Sequence, residues 1–446
     1  MAAVALLAFC AYVFGVFFTV FPASARSYSE RVYERTLDNG LKLILLEDHK
    51  APVAAIQVTY RVGSRNDVPG WSGRAHLLEH MMFKGTEKVG PEQYSRIVQR
   101  NGGRNNAFTS RDRTTYFASI ASDRLDVVLD LEADRMSNLV ISAAQYDPEK
   151  LVVMEERRLR IDNNPTGALF ELLYAAAFQS HPYRQPIIGW MDEIRHSNAA
   201  DLRDFYEQYY TPNNAFLVVV GDFDAKALAD DIERVFGEAV PGAMPGAVRS
   251  VEAGQHGERR VDLLREAQLP FVALAHHVPN LRSADGAALE VLSRILAGGK
   301  SSRLYRKLVY DERVARYAGS DYDYSAIDPN LFVVYAQPLP GQDPGDIERM
   351  LAAEIDRLQV EPPTDLEIER AKNQIEAAYV FAQDSIYYQA RLLGDFESAG
   401  DWRLIDAYLP ALRAVTREDL RRVAAFYLVA RNRTVATLLP LAKDRP

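Results

Sequence analysis

The chain has eight histidines in 446 residues, and two of them stand four apart in His76-Leu77-Leu78-Glu79-His80. Residues three and four apart on a helix share a face, so His76, Glu79 and His80 project to one side. Two imidazoles one turn apart can hold a single metal ion, and zinc favours nitrogen ligands. A carboxylate beside the second histidine can take the proton of an attacking water. The arrangement is H-x-x-E-H, the reverse of the H-E-x-x-H zinc-peptidase helix. A solvated helix face or a satisfied core group is the other reading of such a pair; the five residues alone favour the metal site and leave that reading open.

The flanks carry more. Gly73 before the motif and Met81-Met-Phe-Lys-Gly-Thr86 after it resemble the active-site helix of the pitrilysin and mitochondrial processing peptidase family, the inverzincins. That pattern usually has an aliphatic residue where this chain has Arg74, a departure outside the ligand set. The resemblance extends over essentially Arg31 to Pro440. It implies a zinc endopeptidase acting on peptides or unfolded segments, with His76 and His80 as ligands, Glu79 as the base and one Zn2+ per chain. The family's third ligand is a downstream glutamate in a Val-Val-x-Glu-Glu-like setting, which Val152-Val153-Met154-Glu155-Glu156 matches at Glu156. Glu155 competes for the role but points about 100° away around a helix. Glu149, two turns before Glu156 on the same face, matches a family carboxylate that stands behind the ligands.

The resemblance also implies where a substrate lies. Arg104 to Tyr116 has the beta-branched and aromatic content of a strand after Asn106 and resembles the edge strand on which the family lays its peptide. Asn106, Ala107 and Thr109 match that pattern. An open edge offers N–H and C=O groups to an extended chain without a sequence code. In the second half, the family places an arginine and a tyrosine seven residues apart as donors to the developing oxyanion. Here Tyr317 is the candidate tyrosine, but Tyr310 occupies the arginine position. Arg303 belongs to the preceding Ser-Ser-Arg-Leu segment. Both tyrosines are candidate donors. Similarity to two-subunit bacterial members then implies a homologous partner chain without the motif, with a homodimer or a self-sufficient monomer as the other outcomes. A non-catalytic scaffold subunit of the same fold is the rival function. A purely structural zinc would want a fourth protein ligand.

The elements that must position these groups follow from periodicity and turn chemistry. Asp38-Asn39-Gly40 between two apolar runs predicts a hairpin. Alternation over 56–62 predicts a half-buried strand, and Leu125, Val128, Leu129 and Leu131 an amphipathic helix over 122–138. Pro148 suits the first position of a helix carrying Glu149 in its electropositive first turn. Residues 238–261, with their glycines and prolines, predict a linker. Asp201 to Asn214 lines up with Asp419 to Asn432 at an offset of 218, which carries Glu149 onto Glu367 and Glu156 onto Gln374, a poor zinc ligand. The chain therefore reads as two like domains, 26–237 with the metal site and 262–446 without it. Hairpin strands mixed with helices predict an α+β class. The resemblance implies two antiparallel sheets, each with helices on one face, enclosing a cavity.

Composition closes off other classes. A formal charge of −9 leaves no footprint for nucleic acid. The single cysteine, Cys10, lies in an apolar run from Ala2 to Phe21 that ends in Pro22-Ala-Ser-Ala25, so the later chain has no cysteine nucleophile or disulfide. Residues 1–25 read as a secretory signal cleaved after Ala25, or as an uncleaved anchor over 1–22. Either places the remainder across a membrane, in the periplasm or outside the cell.

Overall fold

The hairpin at Asp38-Asn39-Gly40 forms as expected: the Leu37 N–H reaches the Leu41 carbonyl at 2.9 Å and Gly40 takes φ +87°. It opens the first of two sheets in a computed structural model that describes residues 27–441. The leader or anchor expected over 1–25 lies outside the described residues. The first sheet comprises β1 (Val32–Thr36), β2 (Lys42–Glu47), β3 (Val53–Tyr60), β4 (Arg104–Thr109), β5 (Thr114–Ala121) and β6 (Ala215–Gly221), in the spatial order β1-β2-β6-β3-β5-β4. The second comprises β7 (Arg259–Arg265), β8 (Phe271–Val278), β9 (Ala315–Tyr322), β10 (Asn330–Pro338) and β11 (Arg433–Pro440), in the order β7-β11-β8-β10-β9. Both are mixed and mostly antiparallel, with β2 parallel to β6 and β7 parallel to β11. The class is α+β with two domains.

The repeat is visible strand by strand. β3 and β8 stand 218 residues apart, as do the helices Ala199–Tyr209 and Arg417–Tyr427. Apart from β1, the two sheets have the same order, and each ends in an open-edged strand, β4 in one and β9 in the other.

The central strands are buried on both faces, with successive side chains pointing to opposite sides. Leu217 and Val219 of β6 face the first half's own helices, including the motif helix Arg74–Met81 and the helix Ala143–Arg157. Phe216, Val218 and Val220 face the other way, onto Leu393 and Phe396 of the helix Ile386–Ala399, which comes from the second half. The exchange is mutual: the helix Pro165–Ala177 lays Leu169, Leu173 and Ala177 on Phe271, Ala273 and Leu438 of the second sheet. Each sheet thus carries its own helices on one face and a helix of the opposite half on the other.

Three local expectations change. The strand expected to be half-buried over 56–62 is buried on both faces in β3, with Gln57 and Thr59 among its buried residues, because a helix of the second half covers that side of the sheet. The helix bearing Glu149 starts at Ala143 behind Ser142, with Pro148 inside it. The proline leaves the Ala144 carbonyl without its helical N–H partner, and Glu149 falls beyond the first turn, so side chains must stabilise its charge. β7 begins at Arg259, inside the expected 238–261 linker, because Arg259–Arg265 alternates in exposure and pairs in parallel with β11. No described helix is long and apolar enough to cross a membrane.

Candidate metal centre

The motif helix is set by what precedes it. Gly73 takes φ +86°, and a Cβ there would lie 2.2 Å from the Ile188 carbonyl oxygen, so only glycine fits. Its N–H donates to Asp67 at 2.8 Å; burial pushes the Asp67 carboxyl up to about 7 against that bond and the nearby Arg74. Arg74 is accommodated in place of an aliphatic residue by lying over the Phe205 ring, its guanidinium carbon 4.7 Å from the centroid.

From this start the helix presents His76 and His80 to Glu156 on the helix Ala143–Arg157. The Glu156 Oε2 lies 3.6 Å from His76 Nε2 and 3.1 Å from His80 Nε2. One ligand atom from each of the three residues falls within 4.8 Å of the others. Such a set suits a divalent cation, since each group offers a lone pair toward the same point. A proton is the alternative counter-charge. His80 is pushed up to about 9 because, against its burial, hydrogen bonds to Glu149 and Glu156 favour the imidazolium. Burial and the neighbouring His80 take His76 down to about 4. A metal ion binding here displaces the His80 proton. Glu155 is exposed and pairs with Arg158, while Glu156 faces the histidines.

Glu149 accepts from His80 Nδ1 at 2.8 Å, which fixes the ring orientation and turns Nε2 toward Glu156 and His76. Its second oxygen pairs with Lys84 at 2.7 Å. Burial, the largest influence on Glu149, raises its pKa, but His80 and Lys84 together outweigh it and hold the carboxyl below its usual range. Lys84 was not among the candidate residues. It lies three residues past the end of the motif helix at Met81, and its partner Glu149 is on another helix, so no local spacing marks it. Arg160, four after Glu156 and 3.0 Å from its Oε1, has a spacing that could mark it.

Glu79 lines the same cavity, a space of about 810 Å³. Burial raises its pKa above the usual carboxylate value, and the Thr109 hydroxyl, donating at 2.6 Å, offsets part of this. Asn106, Ala107 and Thr109 all line the cavity on β4. Among the named strands β4 pairs only with β5. The Ala107 N–H is bonded to the Asn106 side chain at 2.9 Å, so it points to the open edge. Thr109, two residues on, points the same way.

Comparison with known proteins agrees with this geometry. Residues 42–190 match the model of the insulinase family, peptidase family M16, and residues 197–375 match that of the peptidase M16 inactive domain. The zinc protease PqqE of Helicobacter pylori is 33% identical over 421 residues, covering 93% of this chain and 94% of that protein. The chain belongs to the M16 peptidase family. It is a zinc protease of that family. A Helicobacter pylori protease crystal structure superposes with a TM-score of 0.89 at 33% identity, covering 92% of this chain and all of that one. An uncharacterized zinc protease of Streptomyces coelicolor is 28% identical over 93% of this chain and 90% of its own.

The M16 inactive domain retains the outline of the metal site. Offset by 218 from His76, His80, Glu149 and Glu156 are Arg294, Gly298, Glu367 and Gln374, and all four line one small pocket. Glu367 pairs with Arg303 at 2.7 Å, as Glu149 does with Lys84. Tyr310 and Tyr317 are not brought to the cavity that His76, Glu79 and His80 line. Tyr310 is 61% exposed on the segment Tyr305–Asp311, and Tyr317 is 40% exposed on β9 beside Phe271 and Tyr335. The second-half residue lining the cavity is Asp321.

Proposed function

We propose that the chain is an endopeptidase that cleaves extended peptides or unfolded segments laid along β4, with one zinc held by His76, His80 and Glu156. The observation that carries this reading is the convergence of those three donors and Glu79 in one cavity with the open edge of β4. Zinc in that position supplies a Lewis acid and makes hydroxide available near neutral pH. Glu79 takes the proton of the attacking water and delivers it to the leaving amine, a role that its raised pKa favours. Glu149 orients His80. The outward N–H groups of Ala107 and Thr109 hold the peptide backbone in register, the peptide replacing the Asn106 side chain that now accepts from the Ala107 N–H.

A homologous chain without the motif completes the active enzyme in this proposal. Its support is the position of Tyr310 and Tyr317 outside the cavity, so neither is placed to donate to the developing oxyanion. The apolar run over 2–21 and the Ala-Ser-Ala that follows support a site of action in the periplasm or outside the cell, with anchoring if residues 1–22 stay attached.

Mass spectrometry of a peptide library incubated with the purified chain, with and without chelator, tests the activity. Chelator-sensitive cleavage at internal bonds is expected, and it should rise on adding a co-expressed homologue that lacks H-x-x-E-H. Full turnover by the chain alone with no gain from the homologue would discard the partner. No cleavage under any condition would discard the endopeptidase reading. The strand assignment has its own test. Ala107→Pro removes an outward N–H while leaving pairing to β5 and the Thr109–Glu79 bond in place. It should weaken peptide affinity by about tenfold or more, on the scale of one lost charge-free hydrogen bond plus local misfit, with zinc content unchanged. Unaltered affinity in a folded variant would move the peptide off β4.

A further inference from the structure

The turn that joins β4 to β5, Ser110 to Arg113, is tied to the second half at two points. Asp112 is 7% exposed, and donors converge on its carboxylate. Tyr183 Oη donates to both oxygens at 2.7 and 2.8 Å, Arg65 reaches Oδ1 at 3.2 Å, and the Ile327 N–H reaches Oδ2 at 3.0 Å. Ile327 lies in the loop between β9 and β10. The next residue strengthens the tie: Asp328 donates its N–H to Tyr183 Oη at 3.1 Å, and its carboxylate pairs with Arg65 at 2.7 Å and His181 at 3.1 Å. One position after Asp112, Arg113 pairs with Asp395 of the helix Ile386–Ala399. Three positions before Asp112, Thr109 donates to Glu79.

We propose that Asp112 is a positioning residue through which the metal-free half holds β4 at the height and register that the metal centre and Glu79 require. The proposal rests on the reading of β4 as the substrate strand. A buried carboxylate persists only where its hydrogen bonds are met, and here those bonds come from both halves of the chain. Weakening them frees the turn, and the motion passes along three residues of strand to Thr109. Misplacement by about 1 Å can cost a hundredfold in rate.

Asp112→Asn keeps one acceptor oxygen and removes the charge that holds Arg65. Tyr183→Phe keeps the buried ring and removes the hydroxyl joining Asp112 to the Asp328 N–H. Asp285→Asn, at a pair with Arg422 and Tyr427 outside the cavity lining, controls for general loss of stability. Each is made in the zinc-loaded chain and assayed with the best-cleaved library peptide. Peptide affinity and backbone amide exchange over 104–109 are then measured in a Glu79→Gln background, where the peptide stays intact. Asp112→Asn and Tyr183→Phe should retain zinc, raise KM about tenfold with kcat changed less, and speed exchange over 104–109. Asp285→Asn should do none of this. If the peptide slows exchange over 104–109 in the parent but Asp112→Asn and Tyr183→Phe leave KM and that exchange unchanged, Asp112 is only a structural pin and the proposal falls. If the peptide does not slow exchange there in the parent, the substrate-strand reading fails first and takes the proposal with it.

Discussion

Glu79→Gln is expected to abolish peptide cleavage while zinc content stays at the parent level. Glutamine keeps an oxygen for the Thr109 hydroxyl, which now donates to the carboxylate at 2.6 Å, so the local packing survives. It cannot accept a proton from water or return one to the leaving amine. Loss of a general base costs about two to four decades in rate. The three ligands are untouched, because Glu79 is not among the donors within 4.8 Å of one another. Turnover on a fluorogenic peptide, paired with metal analysis of the same sample, decides it. Near-normal turnover in the variant would sink the proposed mechanism, and loss of zinc would show that Glu79 holds the metal rather than the proton.

Glu156→Gln should empty the site of zinc, and Glu155→Gln should not. The Glu156 carboxylate turns inward to both Nε2 atoms, and its negative charge would offset that of a bound cation. Glu155 sits on solvent with Arg158. Removing a partner that merely orients a ligand costs about 10–100-fold in metal affinity, and removing a ligand itself should exceed that range. Competition with a chromogenic chelator measures both variants. The reverse order would place the third ligand one residue earlier on the helix.

What could be read in the chain divides by range. The H-x-x-E-H face is local geometry, fixed by 3.6 residues per turn, and it stands as the spacing required. The β1–β2 hairpin is equally local. Glu156 and the edge strand needed resemblance, since nothing in the spacing from His80 to Glu156 or from Glu79 to Thr109 encodes contact. The direction of the Ala107 N–H needed the register with β5. Arg160 is within reach of the helical spacing rule but sits in a charged run that resembles solvated surface, whereas Lys84 lies past the end of the motif helix and pairs with Glu149 on another element. Nothing local marked Asp112, whose donors come from residues 65, 183 and 327. The start of the Glu149 helix differs because proline is at home in a first turn, whereas the helix begins at Ala143 and holds Pro148 in its interior, with no side-chain cap from Ser142 to mark its start. Amphipathic periodicity identified the apolar faces of the exchanged helices and could not say which sheet each would cover.

That exchange fixes an order of events as the chain is made. The inward face of the first sheet, with Ile44, Val218 and Val220, is covered by Leu393 and Phe396, and Arg61 of the strap after β3 meets Glu397 from 336 positions away. Until residues near 400 have left the ribosome, a sheet already carrying the whole H-x-x-E-H motif keeps one oily face bare. Contacts this distant form late and slowly, and partly finished sheets of this kind aggregate. A chain halted before Ile386 would therefore possess every proposed zinc ligand and still lack the cover its sheet needs to stay in solution.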